Sequence, residues 1–315
     1  MDKISVVVPC KNEEACVELF YSAFMQTITE LPVAYELIFV DDGSTDRTLD
    51  IFRELALKDS NVRYISLSRN FGKEGAMYAG LKATTGDFVS IMDVDLQDPP
   101  ELLKEMYTYI KEDKIDCVAC RRVNRKGEPP IRSMFANLFY RLINKMSKVE
   151  IVSGARDFRL MSRRMTDAIL SMSEVERFSK GLFGWVGFTI KWLEYHNIDR
   201  AAGKTKWSFY KLFKYAVGGI EDFSTVPLRI NFVFSVLSFL TALGFIIADI
   251  VMFNTKGYVD TFFALTPVIL LATSMLLFGI GCACEYISKI FFETKRRPLF
   301  IVKETEADIL NKKDN

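Results

Sequence analysis

This chain has a single histidine, His196, one C-x-x-C pair and a formal net charge of +1 over 315 residues. Near-neutrality argues against a basic nucleic-acid binder and against an acidic tail, so no nucleic-acid partner is expected. G-x-G-x-x-G and G-x-x-x-x-G-K-[ST] are absent, which removes the glycine cradles of dinucleotide binders and P-loop NTPases. The pair Cys117-Val118-Ala119-Cys120 has no second pair to complete a zinc site. It also falls inside the apolar run Ile115–Cys120 rather than at a helix start, where redox pairs sit. Strand alternation sends its two thiols to opposite faces, so they read as packing residues, as do Cys282 and Cys284 in an apolar span. His196 reads as structural. Met1-Asp2-Lys3 precedes only the short run Ile4–Val8, too short for the apolar core of a secretory signal. The N-terminal region is therefore expected to stay in the cytoplasm.

What is present is concentrated in one stretch, Ser90-Ile91-Met92-Asp93-Val94-Asp95-Leu96-Gln97-Asp98-Pro99-Pro100. An apolar run drives into two carboxylates spaced i, i+2. Acids at the end of a buried strand need a cation, because an unpaired buried charge is costly. Carboxylate oxygens suit Mg2+ or Mn2+, which commonly also hold substrate phosphates. Asp93 and Asp95 therefore predict a metal site at the mouth of an α/β sheet, built for a nucleoside diphosphate. Asp98 has a plainer reading as the N-cap of a helix with Pro99 or Pro100 at its first position.

The first 120 residues alternate strand and helix patterns. Ile4–Val8, Leu37–Val40, Val62–Leu67, Phe88–Met92 and Ile115–Cys120 are short runs rich in branched residues, and Thr48–Lys58 has the period of an amphipathic helix. The fold class is α/β, with a mostly parallel sheet and helices on both faces. Four polar clusters follow four successive strands: Pro9-Cys10-Lys11-Asn12-Glu13, Asp41-Asp42-Gly43-Ser44-Thr45-Asp46, Arg69-Asn70-Phe71-Gly72-Lys73 and Asp93-Val94-Asp95. Ligands in open α/β sheets bind at the carboxyl ends of the strands, so these clusters are expected to line one crevice.

Basic residues interleaved with aromatics follow, as an amphipathic helix over about 130–148 and again at Lys204–Tyr215, the pattern of helices lying in a membrane interface. Ile230–Phe253 and Thr261–Cys284 are each long and apolar enough to cross a bilayer. Arg229, Lys289, Lys295, Arg296 and Arg297 flank the pair, whereas the short connector holds only Lys256, so both termini are expected in the cytoplasm. Asp249 sits near the outer end of its span, where it either snorkels or meets another protomer. The expected organisation is a catalytic domain over 1–200, a juxtamembrane amphipathic segment over 201–226, a transmembrane pair within 227–288 (about 230–253 and 261–285) and a cytoplasmic tail over 289–315.

Val7-Val8-Pro9-Cys10-Lys11-Asn12-Glu13-Glu14, Asp41-Asp42-Gly43-Ser44-Thr45-Asp46 and Asp93-Val94-Asp95-Leu96-Gln97-Asp98-Pro99 resemble the signature set of GT-A fold glycosyltransferases of family 2. Asp157-Phe158-Arg159-Leu160-Met161, Arg177-Phe178 with Gly181–Phe188, and Gly203-Lys204-Thr205-Lys206-Trp207 narrow the likeness to the polyprenyl-phosphate glycosyltransferases. That group includes dolichol-phosphate mannose synthase and bactoprenol glucosyltransferases of the GtrB type, and the likeness covers nearly the whole chain. It implies a nucleotide crevice formed by Pro9, Asn12, Glu13, Asp41 and Asp42, with Arg69, Lys73 and Asp93 beside them. It implies Asp93, Asp95 and Gln97 around the metal and diphosphate, with Asp95 closest. Asp157 takes the catalytic carboxylate position. Arg121, Arg122, Arg132, Arg200, Lys204 and Lys206 are implied at the acceptor phosphate. One departure is Arg156, where relatives often have a small residue. If it points the same way as Asp157 it favours the ionised acid, and strand alternation can also turn it to the other face.

The implied activity moves one sugar, with inversion, from a nucleotide sugar to undecaprenyl or another polyprenyl phosphate at the cytoplasmic membrane face, with Mg2+ or Mn2+ as cofactor. UDP-glucose and UDP-N-acetylglucosamine lead as donors, with GDP-mannose as the alternative. The lipid bilayer is a partner, and bacterial relatives imply a homo-oligomer, a tetramer among the candidates. A phosphomonoester has a second pKa of roughly 6 and is already anionic near neutrality, so Asp157 is expected to orient the acceptor more than to remove a proton. A processive polysaccharide synthase would carry a Q-x-x-R-W motif and more spans, and neither is seen. A non-catalytic scaffold would not need the acidic clusters.

Overall fold

The computed structural model describes residues 1–123, 141, 144–145, 152, 154–175, 177–195, 226–258 and 261–313. His196, Arg132, Arg200, Lys204 and Lys206 lie outside the described residues, as do most of the 130–148 segment and all of 204–215. Among the described residues eight strands form one sheet, in the order β7 (Ile190–Tyr195), β5 (Cys117–Arg122), β6 (Ala155–Ser162), β4 (Phe88–Ile91), β1 (Lys3–Cys10), β2 (Ala34–Asp41), β3 (Val62–Leu67) and β8 (Val302–Thr305). Its centre is the parallel set β1, β2, β3 and β4. Crossover helices α1 (Val17–Ile28), α2 (Thr48–Lys58) and α3 (Lys73–Ala83) connect them. After α4 (Leu102–Glu112) come β5 (Cys117–Arg122) and then β6 (Ala155–Ser162), which runs antiparallel to both β4 and β5. The helices α5 (Arg163–Ser171) and α6 (Ser179–Trp185) precede β7 (Ile190–Tyr195), which lies parallel to β5.

Both faces of the sheet are covered, which is why its central strands read as continuous apolar runs. On one face Val6, Val8, Phe39 and Val118 pack with Phe20, Phe24, Phe52 and Leu103 of α1, α2 and α4. On the other Val7, Ile38, Val40 and Met161 pack with Ala76, Met165 and Phe183 of α3, α5 and α6. Cys120 belongs to the first face and Cys117 to the second, as strand alternation requires. Burial pushes the Cys117 thiol up to about 11 and that of Cys120 higher, so both are inert packing groups. At Gly80 of α3 a Cβ would come within 2.2 Å of Val7 Cγ1, so a glycine there lets the helix lie directly on β1.

The apolar helices are α7 (Val226–Lys256) and α8 (Thr261–Thr294). Each has a segment long and apolar enough to cross a membrane, Val236–Thr255 and Leu271–Thr294. Gly257, with φ of +75°, closes α7 as its N–H donates to Phe253 O at 2.9 Å. The second helix runs ten residues past the expected Cys284, and its last turn reaches the globular part, where the Val175 N–H donates to Glu293 Oε1 at 2.6 Å.

The segment expected as a polar tail folds instead. β8 (Val302–Thr305) pairs antiparallel with β3 and forms an edge of the sheet, and α9 (Glu306–Lys313) follows it. Glu304 accepts from Arg53 Nε at 2.9 Å and Nη2 at 2.6 Å and from the Tyr64 hydroxyl at 2.6 Å, while Arg63 pairs with Glu306 at 2.7 Å. Four residues without an apolar pattern gave no strand signal. They become a strand because β3 offers an open ladder, and the half-buried guanidinium of Arg53 on α2 meets Glu304.

Candidate active site

The four polar clusters converge at the carboxyl ends of β1, β2, β3 and β4, and backbone hydrogen bonds sew them together. Pro9 closes β1 opposite Val40. Asn12 takes a left-handed conformation, φ +52°, which asparagine tolerates. Its Oδ1 accepts from Thr45 N at 2.7 Å and its N–H donates to Ser44 Oγ at 2.9 Å. The Glu13 N–H donates to Thr48 Oγ1 at 2.9 Å. Asp41 accepts from the Ser44 N–H and the Ser66 hydroxyl, both at 2.9 Å. Asp42 accepts from Phe71 N at 2.6 Å and Gly72 N at 3.1 Å at the start of α3. Asp41 and Asp42 are both buried, and they brace the crevice wall as well as lining it. Gly43, with φ of +67°, lies where a Cβ would be 2.8 Å from the backbone of Arg69 and Asn70, so the β2 and β3 loops touch only because this residue is glycine. Arg69 is exposed and lies over the Phe71 ring at 4.1 Å.

At the end of β4 the acids behave differently. Asp95 is buried, 6% exposed, with Oδ1 accepting from the Gln97 N–H at 3.2 Å. Asp93 Oδ1 is 2.6 Å from Lys73 Nζ, and the same ammonium is 2.5 Å from Asp157 Oδ2 on β6. On the other side of Asp93, Arg156 Nη2 is 3.8 Å from Oδ2. Arg156 Nε donates to Asp98 at 2.9 and 3.2 Å, and Asp98 also accepts from the Tyr195 hydroxyl. The result is a chain of alternating charge, Asp157, Lys73, Asp93, Arg156, Asp98, joining β6, the start of α3 and the loop after β4. Burial opposes the Lys73 ammonium, but Asp157 and Asp93 outweigh it and raise its pKa. Burial likewise opposes ionised Asp157, and Lys73 with Lys180 holds it well below the usual carboxylate range.

Several sequence readings change here. Asp98 is not a helix cap: α4 begins at Leu102, and Asp98 is 1% exposed, bound to Arg156 and Tyr195. A buried carboxylate is tolerable only when paired, and that pairing is what Arg156 supplies. Arg156 therefore points to the opposite face of β6 from Asp157, and the ionised acid owes its state to Lys73. Lys73 was expected at the nucleotide, and its ammonium is bound to two acids. Arg121 pairs with Glu194 across the β5–β7 ladder, and Arg122 occupies the other face of β5. Sequence reasoning missed Glu74, whose carboxylate accepts from Ser179 N at 3.2 Å and from the Ser179 hydroxyl, tying α3 to α6. It also missed the part played by Arg159, wholly buried 3.4 Å over the Phe183 ring beneath Asp157. Neither contact has a sequence signal, because each joins residues far apart in the chain.

The donor set at the end of β4 is two carboxylates and an amide oxygen, all hard oxygen ligands, and fits a divalent cation of the Mg2+ or Mn2+ kind. Among the described residues no group of three or more His, Cys, Asp or Glu side chains gathers to hold a metal. The fit is thus to an ion that takes its remaining ligands from a diphosphate and water.

Comparison with known proteins agrees with this arrangement. A putative glycosyltransferase of Bacillus subtilis, CsbB, is 41% identical over 98% of this chain and 93% of its own length. The bactoprenol glucosyl transferase of Shigella phage SfX is 39% identical over 96% of this chain and 99% of its own, and a prophage bactoprenol glucosyl transferase homolog of Escherichia coli K12 is 37% identical over 96% and 99%. The model of glycosyl transferase family 2 matches residues 5–170, which hold nearly all of β1 to β4 and Asp157 of β6. With the strand-end acids and near full-length relatives in agreement, the chain belongs to glycosyl transferase family 2.

Proposed function

We propose that this protein transfers one glucose from UDP-glucose to undecaprenyl phosphate at the cytoplasmic face of the membrane, with inversion at the anomeric carbon. The observation that carries the reading is a strand-end acidic crevice built into the same sheet as β8, the strand that follows the two apolar helices. A sheet assembled from segments on both sides of that helical pair keeps its crevice beside the bilayer, where a lipid phosphate presents its head. Near full-length relatives named for bactoprenol glucosyl transfer support the acceptor class and favour glucose.

Pro9, Asn12, Glu13, Asp41, Asp42 and Arg69 form the nucleoside side of the crevice. Asp95, with Asp93 and Gln97, would hold a divalent ion, Mg2+ or Mn2+, and when bound that ion neutralises charge on the departing diphosphate. Asp157 is kept ionised by Lys73, which bridges it to Asp93, and is the acid proposed to face the acceptor. The acceptor phosphate is anionic already, so Asp157 orients the cations that meet it rather than taking a proton. Arg121, Arg122, Arg132, Arg200, Lys204 and Lys206 are the cations proposed for that phosphate. Guanidinium forks grip phosphate oxygens in pairs, and Arg121 reaches one by exchanging Glu194 for it. Apolar faces of α7 and α8 left uncovered within one chain suit lipid and a homo-oligomer, a tetramer included.

The test is a panel of nucleotide sugars given to the purified full-length protein with undecaprenyl phosphate and read by product mass. A hexosyl-phosphoryl-undecaprenol from UDP-glucose is expected. Transfer only from UDP-N-acetylglucosamine or GDP-mannose would overturn the glucose assignment, and no lipid-linked product from any donor would overturn the acceptor class.

A further inference from the structure

Lys73 is oddly placed for a simple nucleotide contact. It is the first residue of α3, where the helix dipole favours negative charge and disfavours an ammonium. It is held there by Asp93 at 2.6 Å, in the loop after β4, and by Asp157 at 2.5 Å, on β6, with its side chain 35% exposed. Asp93 is one of the two acids proposed for the metal, and Arg156 flanks its second oxygen at 3.8 Å. A carboxylate already sharing an ammonium is a poor ligand for a free divalent ion, which would meet a like charge beside it. A lysine is also a point charge on a flexible four-carbon stem, able to leave one carboxylate while keeping another.

We propose that Lys73 is a resident counter-cation that controls metal entry: it bridges Asp93 and Asp157 in the ligand-free crevice and releases Asp93 only when a nucleoside diphosphate arrives with its divalent ion. The inference rests on the proposed metal role of Asp93 and Asp95. Negative charge on the diphosphate offsets the repulsion between Lys73 and the ion, so metal and nucleotide bind with positive coupling. Lys73 keeps its contact with Asp157 throughout, which preserves the ionised acid on the acceptor side. It acts as a positioning residue.

The experiment measures Mn2+ binding to full-length protein in detergent, by the electron paramagnetic resonance signal of free Mn2+, with and without UDP. Lys73→Met is expected to bind Mn2+ alone at least about tenfold tighter than wild type, because a unit charge next to the site is gone. The gain that UDP gives to Mn2+ affinity is expected to shrink by a similar factor. Lys73→Arg keeps the charge and is expected to stay within about twofold of wild type. Lys73→Met binding Mn2+ alone no tighter than wild type would overturn the proposal. Should that variant fail to fold with two unpaired acids, Lys73→Met with Asp157→Asn removes one of them. The same tightening is then expected, and its absence is equally fatal. Asp95→Asn separates the two readings: undiminished Mn2+ binding to it in the presence of UDP would sink the metal assignment itself, whatever Lys73 does.

Discussion

Arg156 and Asp157 are neighbours in the chain and serve opposite faces of β6. One neutralises buried Asp98, and the other pairs with Lys73 at 2.5 Å. Another buried carboxylate, Glu36, lies towards the opposite end of β2 from the crevice and allows a clean test of charge burial. It is 4% exposed and accepts from the Ser5 hydroxyl at 2.5 Å, the Thr85 N–H at 2.6 Å and Lys3 Nζ at 3.2 Å. Burial opposes its charge, yet these hydrogen bonds outweigh burial and pull its pKa from 4.5 down to about 2. A depressed folded-state pKa means stability that is present in full above 4.5 and drains away as pH falls from 4.5 towards 2. The shift corresponds to about 3 kcal/mol. Glu36→Gln is therefore expected to melt below wild type at pH 7 and to close much of that gap by pH 3. A gap in melting temperature that stays constant with pH would show that Glu36 is not held ionised by these partners. The residue scale is also where the sequence was most and least legible. Asp93 and Asp95 were readable because acids at strand ends are rare, whereas Asp157, inside β6, came only from the family resemblance. The cation between Asp93 and Asp157 was not readable, because Lys73 is 20 residues from Asp93 and 84 from Asp157.

Among elements, the strands β1 to β4 and the helix α2 were legible from periodicity alone, because a sheet covered on both faces writes its burial into continuous apolar runs. β8 was not legible. It holds Val302, Lys303, Glu304 and Thr305, a run with no core pattern, and its partner β3 lies some 240 residues earlier. Its attachment is electrostatic at Glu304 and also involves the Ser68 N–H, which donates to Ile301 O at 2.9 Å. Phe300 meets Tyr78 of α3 edge to face with centroids 6.2 Å apart, so the strap after α8 also packs on the helix that carries Lys73. Removing the Glu304 charge leaves Arg53 with Asp50 alone and takes away a two-pronged contact, a loss of about 1–3 kcal/mol. Glu304→Gln is expected to speed hydrogen exchange at the Ser66 and Ser68 amides, which face β8, and to leave Val6 and Val8 in β1 as slow as before. Equal protection at β3 in both proteins would mean that backbone pairing alone secures this edge.

For the whole molecule, the position of β8 fixes more than stability. A hydrogen-bonded sheet cannot be divided by a bilayer, because its backbone groups need their partners on one side. β3 precedes the two apolar helices and β8 follows them, so if both helices span, the chain must enter and leave the membrane at the same face. The flanking basic residues point the same way by an independent argument: Arg229 precedes the first helix, and Lys289, Lys295, Arg296 and Arg297 lie at the end of the second. At 1.5 Å per residue the 34 residues of α8 extend about 51 Å, beyond a hydrocarbon core of about 30 Å, which leaves its last turns free to reach Val175 of the catalytic domain. If both helices span, Tyr258, 68% exposed between them, is expected outside the cell and Lys303 in β8 inside it. The check is labelling of single cysteines with a membrane-impermeant maleimide, after Cys282 and Cys284 are replaced by serine. The remaining native thiols, Cys10, Cys16, Cys117 and Cys120, are buried. Tyr258→Cys is expected to label in intact cells and Lys303→Cys only after lysis. Labelling of Lys303→Cys in intact cells would put β8 on the outer face, and with it the β3 it pairs with, which would overturn the expected cytoplasmic orientation.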